Sequence, residues 1–281
     1  MPESPEVDAL GGFLRENAVG RRVRTIELDE FRALKTRDRP LRELQGRSIT
    51  GVRRFGKHLA LDTDGPTLLV SFGRAGWARW SEGATATDAD EQVADAPPVI
   101  ARIGFVDGAE LALTDAGEWL SLGLHVVDDP SEVSSVAKLG PDPSAESFTR
   151  GMLDGIVVGR RKQLKALLQE QESLSGIGNA YSDEILHAAR LSPVAKASEL
   201  DEEERARLFA SVRAILGEAF SARRGVAPDQ LKAAKVASMA VHGRTGEPCP
   251  VCGDSVRDVP GSKGAAQYCA ACQTGGVALP E

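Results

Sequence analysis

Apolar positions follow a helical period at the start of the chain and then change to the short runs of strands. Val7, Leu10, Leu14 and Ala18 recur at three- and four-residue intervals, with Pro5 in the first turn and Gly20 just past the end, so a helix is predicted over residues 5–18. From residue 23 to about 127 come β-rich runs at 23–28, 48–53, 58–61, 67–72, 100–105 and 110–113, cut by Gly, Asp and Pro turns. Such runs predict two antiparallel sheets forming a β-sandwich behind the helix. Residues 128–144, with Pro130, Gly140, Pro141 and Pro143, read as a linker.

Helical spacing returns at residues 145–153, 160–170, 179–189, 193–197 and 201–222, the last opened by Asp201 with Glu204 three positions on. Between residues 170 and 179, Gln171-Glu172-Ser173-Leu174-Ser175-Gly176-Ile177-Gly178 makes two short turns, so two helices meet through a double turn. The predicted class is α+β in three parts: an N-terminal helix with a β-sandwich over 1–130, a helical domain over 131–242, and a small module over 243–281. No internal repeat is present.

Composition changes this picture little. With 42% apolar and 27% charged residues in 281, the chain has the make-up of an ordinary globular protein. No apolar stretch reaches membrane-spanning length, and Met1-Pro2-Glu3-Ser4-Pro5-Glu6 lacks the basic and apolar regions of a secretion signal, so a cytosolic protein is expected. The net charge of -7 argues against a nucleic-acid partner until its distribution is seen: residues 1–80 carry +4, residues 81–150 carry -11, and the remainder is balanced. The acidity centres on the Ala/Asp-rich run at 82–98, which reads as a solvated loop.

Candidate chemistry is strongest at the four cysteines. Cys249 and Cys252 form one Cys-x2-Cys pair, and Cys269 and Cys272 form another after sixteen intervening residues. Four thiolates at this spacing close a tetrahedral shell and leave no position for water, which implies one structural Zn2+. Disulfide pairing is the alternative, and a cytosolic chain gives it little reason to form. Gly176-Ile177-Gly178-Asn179 offers an anion site of backbone N–H groups and an Asn side chain, or else an ordinary helix start with Asn as cap.

Removal of Met1 would expose the secondary amine of Pro2, able to attack an aldehydic sugar carbon, with Glu3 and Glu6 beside it as acid/base groups. The same residues also make a good helix start. Lys57, in the basic turn Arg53-Arg54-Phe55-Gly56-Lys57-His58, is either a solvated hairpin end or a phosphate contact.

In combination and in order, these pieces resemble the bacterial formamidopyrimidine-DNA glycosylase and endonuclease VIII family. The resemblance rests on Pro2-Glu3-Ser4-Pro5-Glu6-Val7, Gly56-Lys57-His58-Leu59, Leu139-Gly140-Pro141-Asp142-Pro143 and Lys165-Ala166-Leu167-Leu168. It continues through Gly176-Ile177-Gly178-Asn179-Ala180-Tyr181-Ser182-Asp183-Glu184 and Gly243-Arg244-Thr245-Gly246-Glu247-Pro248-Cys249. It implies a monomeric base-excision-repair glycosylase and abasic-site lyase acting on damaged double-stranded DNA in the bacterial cytosol and nucleoid, with no membrane partner.

By position, the resemblance makes Pro2 the nucleophile at the sugar C1′, Glu3 the acid/base and Glu6 its supporting carboxylate. It makes Lys57 both part of the catalytic set and a phosphate ligand. Asn179 is implied as a second phosphate ligand, with Lys165 a further DNA-binding residue. Excision of a flipped base and β,δ-elimination follow from it.

Four departures stand out. The Met of the family's void-filling trio is Arg74 here, and the loop that carries its Arg and Phe reads Asp115-Ala116-Gly117-Glu118-Trp119-Leu120. Lys263 stands where the finger-tip Arg is expected, and residues 225–237 lack the Gly-Gly-Thr of a lesion-capping loop. A divergent glycosylase is therefore expected. The alternatives are a non-catalytic relative that recognises abasic or distorted DNA, for which an intact Pro2, Glu3 and Glu6 have no use, and a zinc-ribbon protein adaptor, which leaves the N-terminus unexplained.

Overall fold

The computed structural model describes residues 2–83 and 96–280, so residues 84–95 of the acidic run lie outside the described residues. The chain divides into two compact units, residues 1–137 with 224–231, and residues 138–223 with 232–281.

The first unit opens with helix α1 (Ser4–Asn17), whose Val7, Leu10 and Leu14 are fully buried, as the spacing predicts. Strands β1 (Val23–Leu28), β2 (Ile49–Phe55), β3 (His58–Thr63), β4 (Thr67–Ser71), β5 (Gly76–Ser81), β6 (Val99–Phe105), β7 (Glu110–Asp115) and β8 (Gly123–Val127) follow. Among the described residues they form two four-stranded antiparallel sheets, in the orders β1-β6-β7-β5 and β2-β3-β4-β8. Leu59, Leu61, Leu68, Val70, Leu124 and Val126 of one sheet join Ile103, Leu111 and Leu113 of the other in a core that α1 closes.

Two strands escape the sequence pattern. In β5 the alternation is carried by Gly, Ala and half-buried Trp77, Arg79 and Trp80, and in β8 four of five residues are buried, which gives a run with no period.

Helix α2 (Ser134–Ala137) and a 3-10 turn at Pro130–Glu132 occupy the region read as a linker. The second unit contains α3 (Arg150–Val157), α4 (Leu164–Leu168), α5 (Asn179–Ala189) and α6 (Glu202–Arg223), and α7 (Leu231–Ala237) begins where the chain returns from the first unit. The predicted helix at 145–153 begins later, because the Thr149 side chain accepts from Met152 N–H and caps α3. That predicted over 160–170 shortens to α4, since Gln163 pairs with Lys196 in a β-bridge and Leu164 N–H donates to the Ala195 carbonyl. The same pairing holds residues 193–196 out of a helix, leaving a 3-10 turn at Ala197–Glu199. Strands β9 (Val256–Asp258) and β10 (Gln267–Cys269), then α8 (Ala270–Gln273), complete the chain. No helix among the described residues is long and apolar enough to cross a membrane.

His58 and His125 flank β4, and neither ring's Nδ1 has a partner. Burial, then the His125 and Lys57 charges, lowers the His58 pKa from 6.5 to about 4, and burial and Lys35 lower that of His125. A base with a depressed folded pKa binds fewer protons in the native state, so its contribution is present above the unfolded pKa and lost as pH falls towards the folded one. Urea unfolding between pH 7 and pH 4 is expected to show a loss attributable to His58 of about 2–3 kcal/mol. His58→Leu should flatten that slope, and an unchanged slope would remove His58 as its source.

Candidate active site

The head of α1 gathers two carboxylates. Glu3 caps the helix and accepts from the Glu6 N–H, while Glu3 N–H donates to Glu6 Oε2 at 3.0 Å. Both are buried, at 1% and 2% exposure, immediately after half-buried Pro2. Arg54 of β2 donates to Asp8 at 3.3 Å and to the Gly56 carbonyl at 3.1 Å, fastening α1 to the β2–β3 hairpin. That hairpin turns through two residues, with Gly56 at φ 55 in the first position and half-buried Lys57 in the second.

A second pair of segments in this unit is joined through Asp115. Its carboxylate accepts from the N–H groups of Gly117, Ser121 and Leu122 and from Ser121 Oγ, at 2.7–3.0 Å. Burial opposes the Asp115 charge, but these donors outweigh it and hold the group below the usual carboxylate range. Ser121 Oγ in turn accepts from the N–H groups of Arg74 and Ala75 at 2.9 and 3.1 Å. Gly73, at φ 56, allows this approach, since a Cβ there would lie 2.2 Å from the Ser121 carbonyl oxygen. Arg74 is exposed, Trp119 is 80% exposed, and Leu120 packs on the core. Residues 225–237 contain α7 and its approach, where the Pro228 carbonyl accepts from Trp77 Nε1 at 2.9 Å.

In the second unit, Lys165 of α4 donates to Asp183 Oδ1 at 2.6 Å, Ser182 Oγ at 2.9 Å and the Asn179 carbonyl at 3.1 Å. Its ammonium is therefore engaged inside the protein at 13% exposure. The half-buried Asn179 side chain accepts from Gln169 Nε2 at 2.8 Å. Asp183 Oδ2 also takes His242 Nδ1 at 2.7 Å and the Gln267 N–H at 3.1 Å. Glu184 accepts from three successive N–H groups, Ala240, Val241 and His242, yet burial, with the Asp183 charge adding to it, still raises its pKa. Lys263 stands exposed at the tip between β9 and β10 with φ 53, a conformation a Lys rarely adopts.

The four cysteine sulfurs lie within 4.8 Å of one another. Cys249 and Cys272 are 3.9 Å apart, Cys252 and Cys269 3.4 Å, too far for S–S bonds of about 2.05 Å, so the disulfide alternative fails. A tetrahedron with metal–sulfur arms of about 2.3 Å has edges of about 3.8 Å, which these separations fit. Burial pushes the Cys269 thiol up to about 11 and Cys272 higher still, whereas backbone N–H groups outweigh burial at Cys249 and lower Cys252, so it is Cys269 and Cys272 that need a cation to become thiolates. His187 of α5 brings Nε2 to 3.2 Å from Cys249 Sγ, joining the double-turn helix to the cluster.

Sequence reasoning missed Asp115, Ser121, Gln169 and His187. Ser121, Gln169 and His187 act on residues ten to 62 positions away, and Asp115 on the loop that follows it, and none of the four carries in its own residue type a sign of its partner. Asp183 and Glu184 had a signal: adjacent acids inside a helix otherwise buried on every side demand internal donors.

Residues 1–119 match the model of the formamidopyrimidine-DNA glycosylase N-terminal domain, and residues 139–229 that of the formamidopyrimidine-DNA glycosylase H2TH domain. A formamidopyrimidine-DNA glycosylase of Xanthomonas oryzae is 32% identical over 283 residues, covering 97% of this chain and 100% of the relative. An uncharacterized formamidopyrimidine-DNA glycosylase-like protein of Mycobacterium tuberculosis is 42% identical over 143 residues, 51% of this chain and 89% of the relative. The crystal structure of the Lactococcus lactis formamidopyrimidine-DNA glycosylase bound non-covalently to DNA containing an abasic site aligns with a TM-score of 0.80 at 26% identity, over 97% of this chain and 99% of that one.

The thiol geometry gives a direct test. Metal analysis of the purified protein is expected to find about one divalent ion per chain, and a strong chelator should lower the thermal midpoint. A metal-free protein that melts at the same temperature as the untreated one would contradict the assignment.

Proposed function

We propose that this chain, which belongs to the formamidopyrimidine-DNA glycosylase family, excises damaged bases from duplex DNA and then cleaves the strand as an abasic-site lyase. The observation that carries the reading is the reciprocal cap at the head of α1, which fixes two buried carboxylates directly behind Pro2.

With Met1 removed, the Pro2 amine attacks C1′ of the damaged nucleotide. The new N–C1′ bond forms as the glycosidic bond breaks, and the departing base takes a proton. Glu3 then protonates O4′ as the C1′–O4′ bond breaks, which opens the sugar and leaves an iminium between Pro2 and C1′, and Glu6 orients Glu3. Loss of a C2′ proton from the resulting iminium expels the 3′ phosphate, and a second elimination expels the 5′ phosphate. Lys57 and Asn179 bind phosphates flanking the lesion, and Lys263 binds phosphate at the tip of the β9–β10 hairpin. Cys249, Cys252, Cys269 and Cys272 hold one Zn2+ that stabilises the hairpin without joining the reaction.

Trp119 is the residue suited to filling the space left by a flipped base. Leu120 is packed on the core, whereas Trp119 stands out from a loop that Asp115 braces and offers an apolar face for stacking. Arg74, tethered to the same brace through its N–H, supplies positive charge beside it.

Incubation with an abasic duplex and borohydride is expected to trap a covalent adduct at Pro2, absent in Pro2→Gly and in protein retaining Met1. Lack of an adduct with correctly processed protein would leave a non-catalytic DNA-binding relative as the better account. Trp119→Ala is expected to weaken binding to a lesion duplex by roughly ten-fold or more, the scale of one lost base stack. Undiminished affinity would take Trp119 out of the interface.

A further inference from the structure

Gln169 contacts the side chain of Asn179, and the role assigned to it below rests on the reading of Asn179 as a phosphate ligand. Lys165 and Gln169 are separated by one helical turn, and both reach the first turn of α5. The contacts among them have a fixed direction, because an ammonium has three hydrogens and nothing to accept with. Ser182 Oγ must therefore accept from Lys165, at 2.9 Å. Its own single hydrogen goes to the Asn179 carbonyl, at 3.0 Å.

The remaining lone pair of that hydroxyl can only accept, so the Gln169 amide facing it at 3.1 Å must present nitrogen. The same nitrogen lies 2.8 Å from the Asn179 side chain, which must therefore turn its oxygen inward. Asn179 then presents its NH2 away from this network, with no acceptor for it among the described residues.

We infer that Gln169 is a positioning residue: it locks the Asn179 amide so that the site offers a phosphate two N–H donors and never a carbonyl oxygen. A free amide interconverts between the two orientations by rotation about one bond, and only one of them binds an anion. Ser182 and Lys165 supply the polarity that Gln169 transmits. None of the three needs to touch DNA to affect how tightly DNA is held.

A double-mutant cycle on the full chain, with a duplex carrying a tetrahydrofuran abasic analogue, tests this by fluorescence anisotropy. Asn179→Ala is expected to lower affinity roughly ten-fold, the scale of hydrogen bonds to a charged group. Gln169→Met, which keeps bulk but cannot donate, should lower it roughly three-fold or more, while the double variant binds no more weakly than Asn179→Ala. Thermal midpoints establish that each variant is folded, and Gln169→Glu replaces Gln169→Met in the cycle should the latter not fold. Wild-type affinity in the Gln169 variant, or losses that multiply in the double variant, would overturn the positioning role. An Asn179→Ala protein that binds as tightly as the wild type would instead overturn the phosphate-ligand reading itself, a result the cycle separates from the first two.

Discussion

The second unit is organised around a buried charge that must be matched. Asp183 sits fully buried in the middle of α5, and its two oxygens are taken by the Lys165 ammonium, the His242 ring and the Gln267 N–H. Those three partners come from α4, from the segment preceding the cysteine module and from β10, so one carboxylate orders three separate stretches of chain. Glu184 adds the N–H groups of residues 240–242, of which that of Val241 would otherwise be a buried donor without an acceptor. Removing one member of such a pair costs about 3–5 kcal/mol, because the other is left charged and dry. The hydrophobic core of this unit can therefore close only in the arrangement that satisfies the two acids. His187, one turn further along α5, extends the same ordering to Cys249.

The first unit uses the same device on a smaller scale. Glu3 and Glu6 collect N–H groups at the head of α1, and Asp115 collects three more between β7 and β8. This changes the meaning of the chain's net charge of -7. A carboxylate surrounded by inward-pointing N–H dipoles or paired with a buried cation contributes little repulsion at the surface. Several others are neutralised by Arg: Asp62 by Arg53, Asp154 by Arg150 and Arg205, and Glu170 by Arg160 with Lys162. Acids thus hold the frame, and the exposed residues assigned to DNA, Arg74 and Lys263 among them, are left as donors. A negative sum over the sequence is compatible with an anionic ligand when some acids are spent internally and many of the others are gathered in one segment, here residues 82–98.

Much of the frame was legible because it depends on local pattern. The Val7, Leu10, Leu14 stripe and the paired Cys-x2-Cys knuckles declare α1 and the thiol cluster without reference to any distant residue. Asn179–Ala189 was equally clear, bounded by Gly178 and by Arg190 in the left-handed conformation. Legibility fails where partners decide. The Gln163–Lys196 bridge shortens one predicted helix and unwinds another, and β8 is too uniformly apolar to show a period. At the site, the residue types at positions 2, 3, 6, 57 and 179 suggest chemistry, whereas Ser121 and Gln169 are distinguished only by what they touch, the N–H groups of residues 74 and 75 and the Asn179 side chain.

Lys165 illustrates how a residue can serve a ligand without meeting it. The family resemblance implies a DNA-binding role for it, yet its three hydrogens already have protein acceptors, and a phosphate at the ammonium would have to displace Asp183. That displacement would leave the carboxylate holding β10 and residue 242 without its principal cation, at a cost exceeding what one phosphate contact returns. The geometry is better explained by action at one remove. Lys165 holds the Asn179 carbonyl and polarises Ser182, so its charge lies beneath the first turn of α5 while the Asn179 amide faces outward. The positive end of the helix and the buried ammonium then act in the same direction on an anion near Asn179, with screening much weaker than at an exposed lysine. A buried cation paired with one carboxylate oxygen thereby ties α4 to the first turn of α5 and sets a positive charge beneath Asn179.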